Sequence, residues 1–347
     1  MKRKLKNLKK GSKNWKKNDN KRSSKHLTAL ILILCLYLFI PDSYADMAVD
    51  FGKLYISNHP ESLNEDGILF DDALKLQEPV QLMFSHQNIS ANPKYLYVTV
   101  INYGQLPATL EYINGNSEPN IYALISGHNS ALTFLEGLLT KNIKTVFIEP
   151  GKFINLTDLK LINQQVGSGM FWLRIAQCEN IKIMVSCYSK PGFKDDSGII
   201  KSVFDPFCIH PHGVFSPGYI KSDLEYEISE KPYEVEVAHG PWMIDKTSGM
   251  PNTGNFGIIY TYDLDLINKT GSQYDVVMEF EPIQGKSAGS FLINEIIYDV
   301  GIYLPYERSR VACFEIMPYE KKKLNIMTFP EAGSCYPVKL IFTSMKK

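Results

Sequence analysis

Short runs of alternating apolar and polar residues make up most of the chain after about residue 80. A period of two residues is typical of β-strands with one buried and one exposed face. The runs form two series separated by turn residues, which predicts two all-β modules. The first series comprises 81–84, 95–102, 108–113, 145–149, 170–177 and 182–186, and the second comprises 233–238, 258–268, 274–281, 290–298, 311–317, 321–327 and 336–343.

A helical spacing interrupts the first series at 129–140, where Phe134, Leu135 and Leu138 fall on one face of an α-helix. Asn129 is a residue type that caps helix N-termini. The sequence therefore predicts an all-β fold of two immunoglobulin-like β-sandwich modules, the first with a short helical insertion packed across one end of the sandwich.

The two series can be overlaid. Residues 97–104 match 263–268, each with a strand ending in Asn, and 147–150 match 315–318, each ending in Pro. Such punctuation is typical of Greek-key sandwiches. Because a buried carboxylate without a partner is costly, the aspartates of the second strand must face solvent. The overlay then predicts that Leu96, Val98, Val100, Tyr260, Tyr262, Leu264 and Leu266 are core residues, and that Tyr95 and Tyr97 are exposed.

The N-terminus has the layout of a secretory signal peptide over residues 1–45. Residues 1–26 contain twelve Lys or Arg and one acid, 27–40 are uncharged and mostly apolar, and Pro41 precedes a Ser-x-Ala site that ends at Ala45. An apolar run of about 14 residues is too short to span a bilayer core. An uncleaved N-terminal membrane anchor is the alternative.

Cleavage after Ala45 would leave a mildly acidic protein. Of the 37 basic and 37 acidic residues, 25 and 35 would remain, a net charge of about −10. A negative net charge makes binding to nucleic acid or to anionic lipid unfavourable.

Five cysteines would also remain after cleavage. Because five is an odd number, at least one thiol would be free or would pair between chains, and Cys313 with Cys335 is the first pair to test for a disulfide. The predicted organisation is module 1 at 46–188, a partly packed linker at 189–230, and module 2 at 231–347.

The strand and turn pattern at 97–110 resembles the extracellular immunoglobulin-like modules of bacteria that are called CARDB-like. Looser blocks at 58–60, 254–257 and 330–334 resemble uncharacterised exported bacterial proteins. The matching residues are turn and core residues. The resemblance therefore implies an architecture and an exported location, and modules that are spacers or binding platforms, and it carries over no functional residue.

Candidate chemistry is sparse. Cys208, His210 and His212 form a Cys-x-His-x-His group whose thiolate and imidazoles could bind zinc or copper. Tyr95 and Tyr97 would be the aromatic pair to stack on a sugar. His128, at the predicted start of the helix, would feel a dipole that disfavours its charged form, which predicts a neutral structural histidine.

The sequence contains no nucleophile elbow and no phosphate-binding glycine loop. It therefore favours a non-enzymatic exported protein of the cell envelope or extracellular space that binds or spaces through its modules. No cofactor is expected. The expected partner is a protein or a carbohydrate, not nucleic acid, with membrane contact only through an uncleaved N-terminus. The alternatives are a secreted enzyme or metal protein centred on 205–215, and an assembly factor that acts by β-strand augmentation.

Overall fold

The computed structural model describes residues 50–59, 63–192 and 210–347, so the predicted signal peptide lies outside the described residues. Within them the chain is mostly β, with four sheets and one helix, and it forms two β-sandwich modules. This confirms the predicted fold class. The elements are β1 (Lys53–His59), β2 (Gly67–Leu74), β3 (Val80–Gln87), β4 (Lys94–Asn102), β5 (Ala108–Asn116), α1 (Ala123–Leu139), β6 (Lys144–Ile148), β7 (Phe153–Leu161), β8 (Val166–Gln177), β9 (Ile181–Tyr188), β10 (His212–Phe215), β11 (Tyr219–Glu227), β12 (Tyr233–Val237), β13 (Ile259–Ile267), β14 (Tyr274–Pro282), β15 (Ser287–Ile293), β16 (Ile296–Tyr303), β17 (Ser309–Ile316), β18 (Lys321–Thr328) and β19 (Val338–Lys346).

The two modules have the same strand order. In module 1 a six-stranded sheet, β10-β1-β3-β8-β5-β6, packs on a four-stranded sheet, β2-β9-β4-β7. In module 2 a five-stranded sheet, β11-β13-β18-β15-β16, packs on β12-β19-β14-β17. Each strand from β1 to β9 corresponds to the strand of module 2 whose number is ten higher, so that β1 corresponds to β11 and β9 to β19. In both modules the first strand pairs in parallel with the third, β1 with β3 and β11 with β13. Within the described residues, module 1 adds to this shared plan the strand β10 and the helix α1, which lies between β5 and β6.

Two strands arise from the predicted linker, 189–230. The strand β10 pairs with β1 of module 1, whereas β11 pairs with β13 of module 2. Residues 219–227 alternate strictly between exposed and more buried positions, as expected for a sheet with one solvated face. The described part of this segment is therefore built into both modules.

The central strands β3 and β8 of the six-stranded sheet are buried on both faces, whereas its edge strand β6 is largely exposed. On β8, Phe171 and Leu173 point into the core of module 1, whereas Met170 and Trp172 point away from it. Those outward residues pack against helix α1 and against module 2. Every residue of β3 except its last is buried, because one face meets the sandwich core and the other meets the module junction.

Helix α1 lies across the outer face of this sheet, not across one end of the sandwich. Phe134 and Leu135 share an apolar cluster with Trp172 on one side and with Met327 and Phe329 of module 2 on the other. The helix also begins six residues earlier than predicted, at Ala123, so Asn129 is an exposed interior residue and not the N-cap. Its apolar face is thus sandwiched between the modules.

Three buried asparagines hold equivalent corners of the two sandwiches. Asn102, which is fully buried, donates from Nδ2 to the carbonyls of Leu106 and Ile148, both at 2.8 Å, and its Oδ1 accepts the N–H of Gly104 at 2.8 Å. The other two asparagines make the same three hydrogen bonds, two within the turn that follows the asparagine and one to a carbonyl distant in the sequence. Asn88 bonds Asn92, Leu161 and Ser90, and Asn268 bonds Ser272, Met317 and Thr270.

These corners explain why the sequence overlay is out of step by one strand. The overlay matched β4 with β13, whereas the strand order matches β3 with β13 and β4 with β14. Asn88, which follows β3, is therefore the counterpart of Asn268. Module 1 contains the same asparagine corner after β3 and after β4, so the Asn-turn pattern fits both places.

The predicted faces are confirmed for the core and wrong for Tyr97. Leu96, Val98 and Val100 are fully buried, as are Leu264 and Leu266, and Tyr260 and Tyr262 are 5% exposed. Tyr97, however, is only 1% exposed. Its ring lies 6.0 Å from that of Tyr188 and its Oη accepts the N–H of Gly192, so the chain after β9 contacts what the alternation predicted to be a solvated face.

We expect Asn102→Ala to destabilise the protein by about 2–3 kcal/mol, because two carbonyls and one N–H lose their buried partner. Asn163→Ala is the matched control, since this exposed asparagine makes a single hydrogen bond, to Ser90. It should cost about 0.5 kcal/mol or less. Urea unfolding of both variants measures the difference, and equal costs would contradict the structural role of the corner.

We expect Gly127→Ala to destabilise the module junction by about 2–3 kcal/mol. A Cβ on Gly127 would lie 1.9 Å from the carbonyl oxygen of Ala332. Gly→Ala inside a helix is normally stabilising, so the sign of the change is diagnostic. Gly240→Ala, whose new Cβ would meet nothing closer than 3.8 Å, is the control and should be nearly neutral in thermal unfolding.

Candidate functional site

A buried histidine of module 1 meets two carboxylates of module 2 at the junction. His128 extends from helix α1, and its partners are Asp299 on β16 and Glu331 in the segment between β18 and β19. Within the described residues these are the ion pairs that join the modules, and we call these residues with Ser290 the junction cluster.

Both ring nitrogens of His128 are occupied by carboxylates. Its Nδ1 lies 2.8 Å from Oε2 of Glu331, and its Nε2 lies 2.9 Å from Oδ1 of Asp299. The hydroxyl of Ser290 donates to Oε1 of Glu331 at 2.6 Å. The Glu331 side chain is fully buried, whereas that of Asp299 is 55% exposed. The cluster therefore runs from the surface to the interior of the junction.

The histidine is held in its charged form. Burial of His128 opposes the charge, but the hydrogen bonds and charges of Glu331 and Asp299 outweigh it and raise the pKa of the imidazole to about 9. The sequence-based prediction of a neutral histidine is thus wrong. It assumed that His128 stands at the helix N-terminus, whereas the residue lies in the second turn with carboxylates on both sides.

The junction cluster contains the residue types of a nucleophilic triad but not its arrangement. A triad needs one imidazole nitrogen for the carboxylate and the other to accept the proton of the serine hydroxyl. In His128 both nitrogens bind carboxylates. The hydroxyl oxygen of Ser290 lies 3.4 Å from Nδ1, the nitrogen that already bonds Glu331, and the hydroxyl proton is donated to Glu331 at 2.6 Å. Ser290 is also only 1% exposed. The arrangement can hold a proton and tie two modules, but it offers no activated nucleophile to a substrate.

A second polar tie lies on the β10 side of the junction. Asp245, which is 3% exposed, accepts the backbone N–H of Val214 in β10 and both the N–H and the hydroxyl of Ser248. Burial opposes its charge, but these hydrogen bonds prevail and lower the pKa of the Asp245 carboxyl. A Cβ on Gly213, whose φ is +130°, would lie 2.3 Å from Asp245 Oδ1. Glycine is therefore required where β10 meets module 2.

The predicted sugar-binding pair is not an open platform. Tyr97 is buried against Tyr188, and Tyr95 is only partly exposed. Tyrosine rings that are far more exposed, Tyr306 at 74% and Tyr319 at 76%, lie on separate turns of module 2. Tyr95 and Tyr97 stay a prediction as ligand-binding residues, with Tyr95 the one whose ring is partly accessible.

The predicted metal ligands are only partly described. Cys208 lies outside the described residues, His210 is half-buried, and His212 lies on β10 with its ring 5.7 Å from that of Phe70. Across 50–59, 63–192 and 210–347, no group of three or more His, Cys, Asp or Glu side chains is placed to hold a metal ion. The Cys-x-His-x-His site stays a prediction.

The cysteines in the described ranges carry free thiols. Cys187 is buried, Cys178 is half-buried, and Cys313 and Cys335 are exposed. The pairing of Cys313 with Cys335 is therefore not formed. Burial raises the pKa of the Cys187 thiol to about 12, so this thiol is a packing residue and not a nucleophile.

Sequence reasoning missed the junction cluster because its members are far apart in the chain. Ser290 and Glu331 follow His128 by 162 and 203 residues. No spacing rule connects residues at such separations. The available signal was a histidine at the predicted start of the helix, and that position does not identify its partners.

No helix in the described ranges is long and apolar enough to cross a membrane. No protein-family model matches the sequence. No curated protein matches it significantly.

Three solved structures illustrate how distant the structural likenesses are. The PBSX exported protein XepA is 10% identical over 83% of this chain and 88% of its own, with a TM-score of 0.19. Lac15 from a marine microbial metagenome is 11% identical over 82% and 60%, with a TM-score of 0.14. The CBM22 tandem domain of Paenibacillus barcinonensis Xyn10C is 9% identical over 76% and 75%, with a TM-score of 0.13. At these values the likenesses carry no argument about function.

We expect Glu331→Gln to cost about 3 kcal/mol, because it leaves the buried His128 with one carboxylate instead of two. Glu236→Gln is the matched control, since Glu236 pairs with the exposed His239 at 3.0 Å. That change should cost about 0.5 kcal/mol or less. Chemical unfolding at pH 6.5 compares the two, and similar costs would contradict a stabilising role for the junction cluster.

Proposed function

We propose that this chain is a non-enzymatic protein exported to the cell envelope or the extracellular space. In this proposal its two β-sandwich modules form one rigid body that binds a partner or holds partners a fixed distance apart. The observation that carries it is the burial of the outer face of the six-stranded sheet against helix α1 and module 2.

Rigidity follows from how the junction is made. Leu54, Ile56 and Met83 of module 1 belong to the same apolar cluster as the core of module 2. Junctions between mobile domains are smaller and more polar than a shared core. The ion pairs of His128 with Asp299 and Glu331, and the hydrogen bond from Val214 to Asp245, are directional interactions across the same junction. Together with the apolar contact they prevent the modules from rotating or sliding independently.

The chemistry of the junction also favours a non-catalytic role. The acid, base and hydroxyl groups that lie within hydrogen-bonding distance of one another at His128 are used up by mutual bonds. A secreted enzyme or metal protein centred on 205–215 remains the alternative. Equilibrium dialysis of the full-length chain against zinc and copper tests it, and stoichiometric binding that is lost in His212→Ala would favour that alternative.

The strand edges disfavour an assembly factor that works by β-augmentation, because natural sheets block edge pairing with bulges, charges and short strands. Among the described strands, β2, β7, β16 and β17 each contain an extra, bulged residue. The edge strands β11 and β12 expose charged side chains, and β6 and β10 have only five and four residues. Each edge in the described ranges thus lacks the long, regular, uncharged strand that such a factor requires.

We expect Leu34→Arg to abolish export, because it puts a charge into the uncharged run at 27–40. Leu5→Arg, the same exchange inside the basic segment, is the control and should leave export intact. Cell fractionation with N-terminal sequencing of the released chain measures both, with Asp46 as the expected first residue. Retention of the unaltered chain inside the cell would contradict the proposed location.

We expect the full-length chain to unfold in one cooperative transition, since the modules share an apolar core. Intrinsic fluorescence and far-ultraviolet circular dichroism should give coincident denaturant midpoints. The chain has tryptophans at 15, 172 and 242, of which Trp172 lies at the junction and Trp242 in module 2, and circular dichroism reports strands in both modules. Two separated transitions would show independent modules and would contradict the rigid-body proposal.

A further inference from the structure

We propose that the proton on His128 is a latch for helix α1, and that loss of this proton releases the helix from module 2 without unfolding either sandwich. The inference goes beyond the proposed function, since a rigid spacer needs no titratable junction. It rests on the position and partners of His128 in the fold.

The latch joins an inserted element of one module to three separate elements of the other. His128 is on helix α1, whereas its partners lie on β15, β16 and the segment between β18 and β19. Gly127, the preceding residue, contacts the backbone of Ala332. The helix therefore has little room to adjust, and its charged contact is made or lost as a unit.

Among the residues that the structure describes, His128 is the cation that pairs with Glu331. The space beside Glu331 is lined by Met83, Met170, Phe329 and small residues, none of them cationic. The nearby hydroxyl of Tyr336 donates to the carbonyls of Ala288 and Phe329, and burial raises the pKa of this phenol well above its usual range. The facing ionisable groups are thus Glu331, Asp299 and the neutral Tyr336.

Deprotonation of His128 leaves a buried charge without its counter-ion. Neutral His128 keeps one N–H, which can still donate from Nδ1 to Glu331. The carboxylate then has two neutral donors, this N–H and the hydroxyl of Ser290, but no counter-ion. An uncompensated charge in an apolar junction is strongly unfavourable, and the direct relief is separation of helix α1 from module 2, which admits water. Asp299 is already half-exposed and gains water without any movement.

The direction in which pH changes the stability of the junction follows from the direction of the pKa shift of His128. The pKa of His128 is raised by the folded junction, from 6.5 to about 9. Its contribution to the closed junction is therefore complete below about pH 6.5 and is lost as the pH rises through 9. A shift of this size corresponds to a change on the order of a hundredfold in the equilibrium between open and closed junction.

Hydrogen exchange of the full-length chain between pH 6.5 and 9 tests the latch, after correction for the intrinsic pH dependence of amide exchange. We expect the protection factors of helix α1 and of β15 and β16 to fall on the order of a hundredfold, whereas those of β4 and β9, remote from the junction, stay constant. In His128→Gln the helix should be weakly protected already at pH 6.5, with little further change.

His239→Gln is the matched control, because His239 is 68% exposed and pairs within module 2; it should behave as the unaltered chain. If His128→Gln fails to fold, Asp299→Asn serves in its place and should move the loss of protection to lower pH. The proposal is overturned if protection of α1 does not depend on pH, if the dependence persists in His128→Gln, or if β4 and β9 lose protection in parallel.

Discussion

The structure depends on one constraint, the burial of the central strands β3 and β8 of the six-stranded sheet on both faces. Its inner face closes the sandwich of module 1, and its outer face, with Met83, Met170 and Trp172, forms the floor on which helix α1 and module 2 rest. A sheet that is apolar on both sides cannot face water. Neither module can therefore be removed without exposing the other, and this is why the two sandwiches belong to one compact unit, Val49–Lys347.

Polar groups then decide how the apolar surfaces fit together. The asparagine corners fix each turn to a distant strand, and Asp245 and His128 tie the modules through separate sets of hydrogen bonds. Each of these groups is buried and satisfied, so each penalises any other arrangement of the chain. Burial of apolar side chains stabilises the contact between the modules, and the buried hydrogen bonds and ion pairs determine the relative position at which the modules fit together.

The alternation of side chains predicted much of the architecture. It indicated strands in both series and the core faces of β4 and β13, and the helical spacing around Phe134 indicated the insertion. The same rules failed where a second surface covers a strand. Tyr97 alternates like an exposed residue but is buried. Strand β11 was missed for a different reason, because its alternating residues lie within the segment that was predicted to be a linker. Local patterns report which side of a strand is apolar, not what lies on top of it.

The sequence by itself determined the fold class, the presence of two modules and the asparagine turns, because these depend on residues that are neighbours along one strand or turn. Only the tertiary structure decided three features: the charge state of His128, the burial of β3 and β8 on both faces, and which strand of one module corresponds to which strand of the other. The partners of His128 lie 162 to 203 residues further along the chain, and all three features are set by how whole sheets and the helix pack. The free energy of a buried charge is fixed by what surrounds it in space, and the order of residues along the chain does not contain that information locally.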